Sequence, residues 1–382
     1  MTLGFCRLYS ARFTAIATLS GALGLFATGC KTPPGDDSAD EGIDSGIDSG
    51  IDSGIDTNDD TTGDGDSADG ELKLDIEENE TDTVPCGEGE FCDCEIPTHT
   101  PCDNTGNTPI VQALGLNCPG EPTVTFTTSG AAAGIGTRSS FGNLGAFPPQ
   151  EGGKYVVIGS GRVDELDDNT GFGCSSDLGA YDPITLPAPM VGTDVGAQTC
   201  TENPGLIGMG DCSNTIESQL AGSVNDYTEL RITGTVPLGV NSFSYDLAYF
   251  SFEYPDYYLS VYNDMYIGWL ESEVWTGNIS FDNEGAPISL NAGFLDYRDA
   301  NPLNDPECQG GCSAPELHGT CMEGHAGTKW LKTNAGVKPG ETFTLVLGIF
   351  DMSDSILDSY AFLDNFEWGC DGEEPPSTTP IE

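Results

Sequence analysis

Apolar residues in the second half of this chain recur at every other position, and this period constrains the fold more than any other feature. Phe343, Leu345, Leu347 and Ile349 form one unbroken run. Leu230, Ile232 and Val236 follow the same rule, as do Met265, Ile267 and Trp269. Tyr360, Phe362, Phe366 and Trp368 supply a further set, and Tyr155–Ile158 is a short continuous apolar run. Successive strand side chains point to opposite faces, so a period of two gives a strand with one apolar face. Gly, Pro, Asn and Asp punctuate the runs; with 51 Gly and 24 Pro, turns outnumber helix signals. The pattern predicts an all-β fold, a two-sheet antiparallel β-sandwich of jelly-roll-like kind. One short helix is expected, with Thr108 as N-cap, Pro109 at its first position and an end near Gly115. Along 243–254 the apolar phase switches from Phe243, Tyr245, Leu247 and Tyr249 to Phe250, Phe252 and Tyr254, which a β-bulge would produce.

The N-terminus gives an address. Arg7 and Arg12 precede an uncharged apolar run, Phe13–Phe26, which is followed by Ala27, Thr28, Gly29 and Cys30. The run is too short and too rich in small residues for a transmembrane helix. Residues 1–29 therefore read as a lipoprotein signal peptide and Cys30 as the lipidated residue, which puts the rest outside the cytoplasm. Lys31 follows where inner-membrane retention would want Asp, so the outer membrane or cell surface is expected.

Residues 30–85 read as an acidic tether. The unit Gly-Ile-Asp-Ser repeats within 42–56, and residues 31–85 hold 19 acids and two lysines. Such a segment buries too little apolar surface to offset its chain entropy, so disorder is expected. Fully extended, it would reach roughly 180 Å. Asn58, Asp60, Thr62, Asp64, Asp66 and Asp69 approach calcium-loop spacing, but with Asn first, Asp twelfth and no flanking helices a solvated linker is the better reading. Over the 382 residues, 62 acids against 12 Lys+Arg give a formal charge of −50, which argues against nucleic acid and anionic membrane surfaces as partners.

Of 14 cysteines, Cys6 leaves with the signal peptide and Cys30 takes the lipid. The remaining twelve are an even number in an oxidising compartment and read as disulfides: Cys86, Cys92, Cys94, Cys102, Cys118, Cys174, Cys200, Cys212, Cys308, Cys312, Cys321 and Cys370. Their pairing does not follow from the sequence. The dense segment 86–104 suggests a small local knot ahead of the head at 105–370. The tail, 371–382, is Pro/Thr/Glu-rich and is expected to be disordered.

Several motifs stand in one order: SFSYDLAYFSFEYPDYYLSVYNDMYIGW over 242–269, GNISFD over 277–282, PISLNAGF over 287–294, ELHGTCMEGHAGTKW over 316–330 and SYAFLDNFEW over 359–368. LNCPG at 116–120 and KYVVIGSGR at 154–162 extend the set upstream. Together they resemble the choice-of-anchor L domain of secreted and surface bacterial proteins. The resemblance implies an extracytoplasmic β-rich module without established catalytic residues. This chain departs from it in carrying an N-terminal lipid signal as its anchor and extra cysteines such as Cys308, Cys312 and Cys321.

Candidate chemistry is sparse. The sequence has three histidines and no G-x-S-x-G, H-E-x-x-H or P-loop motif. No catalytic residues are assigned, and the chain is read as non-enzymatic. Cys308, Cys312, His318, Cys321 and His325 have ligand types that suit zinc, but the oxidising compartment favours disulfides. Asp351, Asp354 and Asp358 flank the last strand turn and are the candidate ligands for a structural calcium; no other cofactor is expected. Tyr254, Tyr257 and Tyr258, around Pro255, form the candidate binding loop for a glycan or protein partner. The functional expectation is surface binding, adhesion or envelope structure; the alternative is an extracytoplasmic hydrolase or carbohydrate-binding accessory protein.

Overall fold

The computed structural model describes residues 94–104, 108–169, 174–179, 185–220, 222–300, 304–372 and 375–381. The signal segment, Cys30, the tether, Cys86 and Cys92 lie outside the described residues. Among the described residues no helix is long and apolar enough to cross a membrane.

The described strands are β1 (Thr125–Ser129), β2 (Ile135–Arg138), β3 (Tyr155–Gly159), β4 (Val224–Thr235), β5 (Ser242–Ser251), β6 (Met265–Glu271) and β7 (Thr276–Asn278). They continue with β8 (Ile288–Ser289), β9 (Leu295–Arg298), β10 (Ala326–Thr328), β11 (Leu331–Gly336), β12 (Thr342–Met352), β13 (Ser359–Gly369) and β14 (Ser377–Pro380). One sheet has the order β1-β4-β12-β6-β7, with β8 also on β6. The other runs β14-β11-β5-β13-β3-β2, with β10 joining β5 to β9. All of these strand pairs are antiparallel. The expected two-sheet sandwich is the architecture found.

The period of two explains the layers. On β12, Phe343, Leu345, Leu347 and Ile349 face inward and meet Phe243, Tyr245, Leu247 and Tyr249 of β5 in one core between the sheets. Each fully buried side chain of this size contributes about 1.5–3 kcal/mol. The other face of β12 carries Val346, Phe350 and Met352, which loop residues Met190 and Ile216 cover. The outer face of β5 carries Ala248 and Phe250 under Phe141, Phe147 and Leu317. The phase switch at Tyr249 and Phe250 is therefore not a bulge in β5. Both faces of that strand are buried, and β5 ends at Ser251. Its register with β13 shifts on the β13 side, between Asp364 and Glu367.

Two further expectations change. The short helix is a 3₁₀ turn, Ile110–Leu114, ended by Gly115 in the left-handed region at φ 98°. Its N-cap position is Pro109, because Thr108 donates its hydroxyl to the Asp103 carbonyl instead. The tail is not disordered throughout: Ser377–Pro380 pairs with β11, and Thr378 is buried with its hydroxyl 2.9 Å from that of Thr333. Hydrogen bonding to an open sheet edge orders a segment that has almost no apolar anchor.

From β4 to β6, and again from β11 to β13, successive strands alternate between the sheets. Each connection must then cross an end of the sandwich, so side chains from both sheets collect at the two ends.

Candidate functional site

At one end, the β5–β6 connection brings in Glu253 and Asp264, the end of β12 brings in Asp351, and the β12–β13 connection brings in Asp358. All four are buried. The Asp264 carboxylate accepts from the Met352 amide and the Ser359 hydroxyl, both at 2.9 Å. Asp358 accepts through Oδ2 from the Ser176 amide (3.2 Å), the Ser176 hydroxyl (3.3 Å) and the Tyr360 hydroxyl (3.0 Å). Its Oδ1 and both oxygens of Asp351 are buried without a hydrogen-bond donor. Ser160 and Asp264 lie beside Asp351.

Burial pushes all four carboxyls up, because the charged form loses its hydration. Asp358 rises to about 6. Glu253, Asp264 and Asp351 also rise by burial, with Asp264 adding repulsion to Glu253 and to Asp351. Among the described residues, none of the four is ion-paired to a Lys, Arg or His.

Of the three acids singled out for calcium, the structure thus brings Asp351 and Asp358 into the buried set. Asp354 stays half-buried in the turn, where its Oδ1 accepts from the Ile356 amide at 3.3 Å. Sequence reasoning missed Asp264 and Glu253. The available signal was their position: each stands within two residues of a strand boundary, beside an apolar run.

The tyrosine loop divides. Tyr254 is fully buried, its hydroxyl bonded to Asp305 at 3.1 Å, so it cannot meet a ligand. Its ring packs edge-on against Tyr258, over which Arg298 lies at 5.8 Å. Tyr257 is half-buried against Tyr262. The more exposed part of this loop is aliphatic, Leu259 and Val261.

Among the described residues the cysteines pair as Cys94–Cys370, Cys102–Cys118, Cys174–Cys321, Cys200–Cys212 and Cys308–Cys312. Cys94 does not belong to a local knot: it reaches across 276 residues to the end of β13. The disulfides consume the thiols of the Cys/His cluster. His325 stacks on Phe252 with centroids 3.6 Å apart, and His318 faces Asp299 at 3.2 Å. A second grouping, His99, Cys118 and Glu121, has its donor atoms close together, but the Cys118 sulfur is bonded to Cys102. Both His99 nitrogens already meet carboxylates, Nδ1 that of Glu121 and Nε2 that of Glu151 at 2.7 Å.

At the opposite end of β5 and β13 lies an open cleft of about 570 Å³. The registers Ser244↔Asn334 and Ser244↔Glu367 bring polar groups of β11, β5 and β13 side by side. Lys332 sits among them, 3.2 Å from Asp246 and 3.1 Å from Glu367. Trp368 lines the wall, held edge-on by Phe343 at 5.7 Å and Phe366 at 5.2 Å. A rigid indole beside hydrogen-bonding groups of both kinds can hold a polar ligand with a flat apolar face. No protein-family model, curated protein or solved structure matches this chain.

Proposed function

We propose that this chain is a lipid-anchored extracytoplasmic binding module, attached through Cys30 and displayed on an acidic tether, with no catalytic role. The cleft at the end of β5 and β13 carries this reading. Its floor is made of strand residues and its wall of a packed tryptophan, so it needs no rearrangement before binding. Preformed apolar surface with a few convergent polar groups is the usual form of a ligand site. A sugar ring matches it: C–H groups against Trp368, hydroxyls against Ser244, Asn334, Lys332 and Glu367. The signal-peptide pattern and the resemblance to choice-of-anchor L domains support the surface address.

The test is a screen of surface glycans and matrix polymers against the full-length protein in detergent. A binder whose affinity falls about tenfold or more in Trp368→Ala supports the cleft, since stacking groups of this kind act as hot spots. Binding untouched by Trp368→Ala and by Asn334→Ala would move the site elsewhere. Turnover of the bound polymer would replace the reading with a hydrolase.

A further inference from the structure

Among the described residues, no positive charge meets the carboxyls at the acid end of the sandwich. Glu253, Asp264, Asp351 and Asp358 converge there, buried, from the ends of strands in both sheets. Asp351 is the decisive residue. It is 0% exposed, neither of its oxygens makes a hydrogen bond of normal geometry, the Ser160 hydroxyl and the Asp264 carboxyl lie beside it, and Asp358 is near enough to repel it. Protonating Asp351 would remove its own charge and let it donate to Asp264, but the carboxylates of Asp264 and Asp358 would still be buried without a positive partner among the described residues. A cation satisfies charge and lone pairs together.

We propose that Asp264 and Asp351, with Asp358 beside them, hold one calcium ion at this end of the sandwich. The groups offered are all oxygens, which select a hard cation. Neutral oxygens stand by as well: the Ser160 hydroxyl lies next to Asp351, and the Ser359 hydroxyl bonds Asp264 at 2.9 Å. Calcium accepts six to eight oxygens in irregular arrangement, which a site assembled from four chain segments can supply. The ion would join β6, β12 and β13 across the sandwich end. It would bind the folded chain in preference to the unfolded one, because only folding brings these residues together. The proposal does not depend on the cleft.

The experiment uses the full-length protein, stripped with chelator and then titrated with calcium chloride. Equilibrium dialysis should show one specific site, and the melting temperature should rise by roughly 5 °C at saturation. Asp351→Asn and Asp264→Asn should each weaken binding by about tenfold or more. Asp64→Asn with Asp66→Asn, in the acidic tether, should leave the shift intact. Terbium in place of calcium should emit on tyrosine excitation, since the Tyr249 hydroxyl donates to the Asp264 carbonyl at 2.9 Å and that of Tyr360 to Asp358 at 3.0 Å. An unmodified chain that melts alike in calcium and in chelator, and does not sensitise terbium, overturns the proposal even if the variants fail to fold. A shift that survives both Asn substitutions overturns it too.

Discussion

The two ends of β13 handle negative charge in opposite ways. At its C-terminal end, Glu367 and the neighbouring Asp246 share Lys332, and Asn365 donates to Asp246 at 2.9 Å. At its N-terminal end, Asp358, Asp351 and Asp264 share no cation from the described residues. Midway, Asp364 receives three backbone amides, from Gln150 (2.6 Å), Glu151 (3.2 Å) and Asn365 (2.8 Å). One strand thus shows three solutions to a carboxylate out of water: a lysine, a nest of amides, and an open demand. The chain has few cations to distribute, 12 Lys+Arg against 62 acids. At the cleft, Lys332 is placed beside the buried Asp246 and fixes the wall. Where none is placed, the charge must come from a proton or from solution.

The strongest contrast should come from removing the lysine. Lys332→Met leaves Asp246, 2% exposed, without its cation. Breaking a buried pair typically costs 3–5 kcal/mol, and the 30% exposure of the Lys332 side chain reduces this to about 2 kcal/mol. The loss should appear as a lower urea midpoint at pH 7. Asp246→Asn on top of Lys332→Met should recover most of it. If Lys332→Met costs nothing, the paired end is not held by its pair, and the contrast with the acid end collapses.

Much of this was legible in the sequence, and the parts that were not share one cause. Strand periodicity is local, so the inward faces of β5 and β12 could be read from single runs. The run Met265, Ile267 and Trp269 on β6, by contrast, is its outward face, packed with Val346 and Phe350, while Tyr266 and Leu270 face the core. Asp351 and Asp358 were legible because both border one turn. Asp264 was not, because it joins them only once β6 is known to lie against β12. The Lys332–Asp246 pair likewise depends on β11 pairing with β5, a register no local pattern encodes. Phe250 misled for the same reason: its apolar phase suggested a bulge, whereas a distant loop bearing Phe141 and Phe147 covers that face. Tyr254 looked like a surface residue beside Pro255, but its hydroxyl finds Asp305, 51 positions on. Cys94 and Cys370 sit at opposite ends of the described chain, and no spacing rule connects them.

The amide nest should show itself in pH dependence. Burial raises Asp364 to about 7, against the pull of its three amides. A carboxyl whose folded pKa lies above its unfolded value, about 3.9, binds its proton more tightly when folded. Its contribution is therefore complete below about pH 4 and falls as pH rises toward 7. Asp364→Asn should remove this slope. The variant should match the parent near pH 4 and exceed it by about 1 kcal/mol at pH 7, allowing for one acceptor exchanged for an amide. Urea unfolding at the two pH values measures the difference. A variant less stable than the parent at both would mean that the carboxylate is well solvated by its amides, as a paired acid would be.

The smallest effect belongs to the His99 clamp, which ties the segment after Cys94 to the head. Partial burial alone would lower the His99 pKa, but the bonds to Glu121 and Glu151 outweigh it and leave the pKa raised. A histidine raised on folding stabilises fully below its unfolded value, about 6.5, and loses that contribution as pH climbs through the folded value. His99→Gln should therefore cost about 0.5 kcal/mol near pH 5.5, with exposure screening the pair, and almost nothing near pH 9. Hydrogen exchange over residues 95–104 should speed up in the variant at the lower pH only. Equal exchange at both pH values would mean that the Cys94–Cys370 and Cys102–Cys118 disulfides hold this segment alone. Charge pairing at this end would then be confined to the Lys332 wall of the cleft.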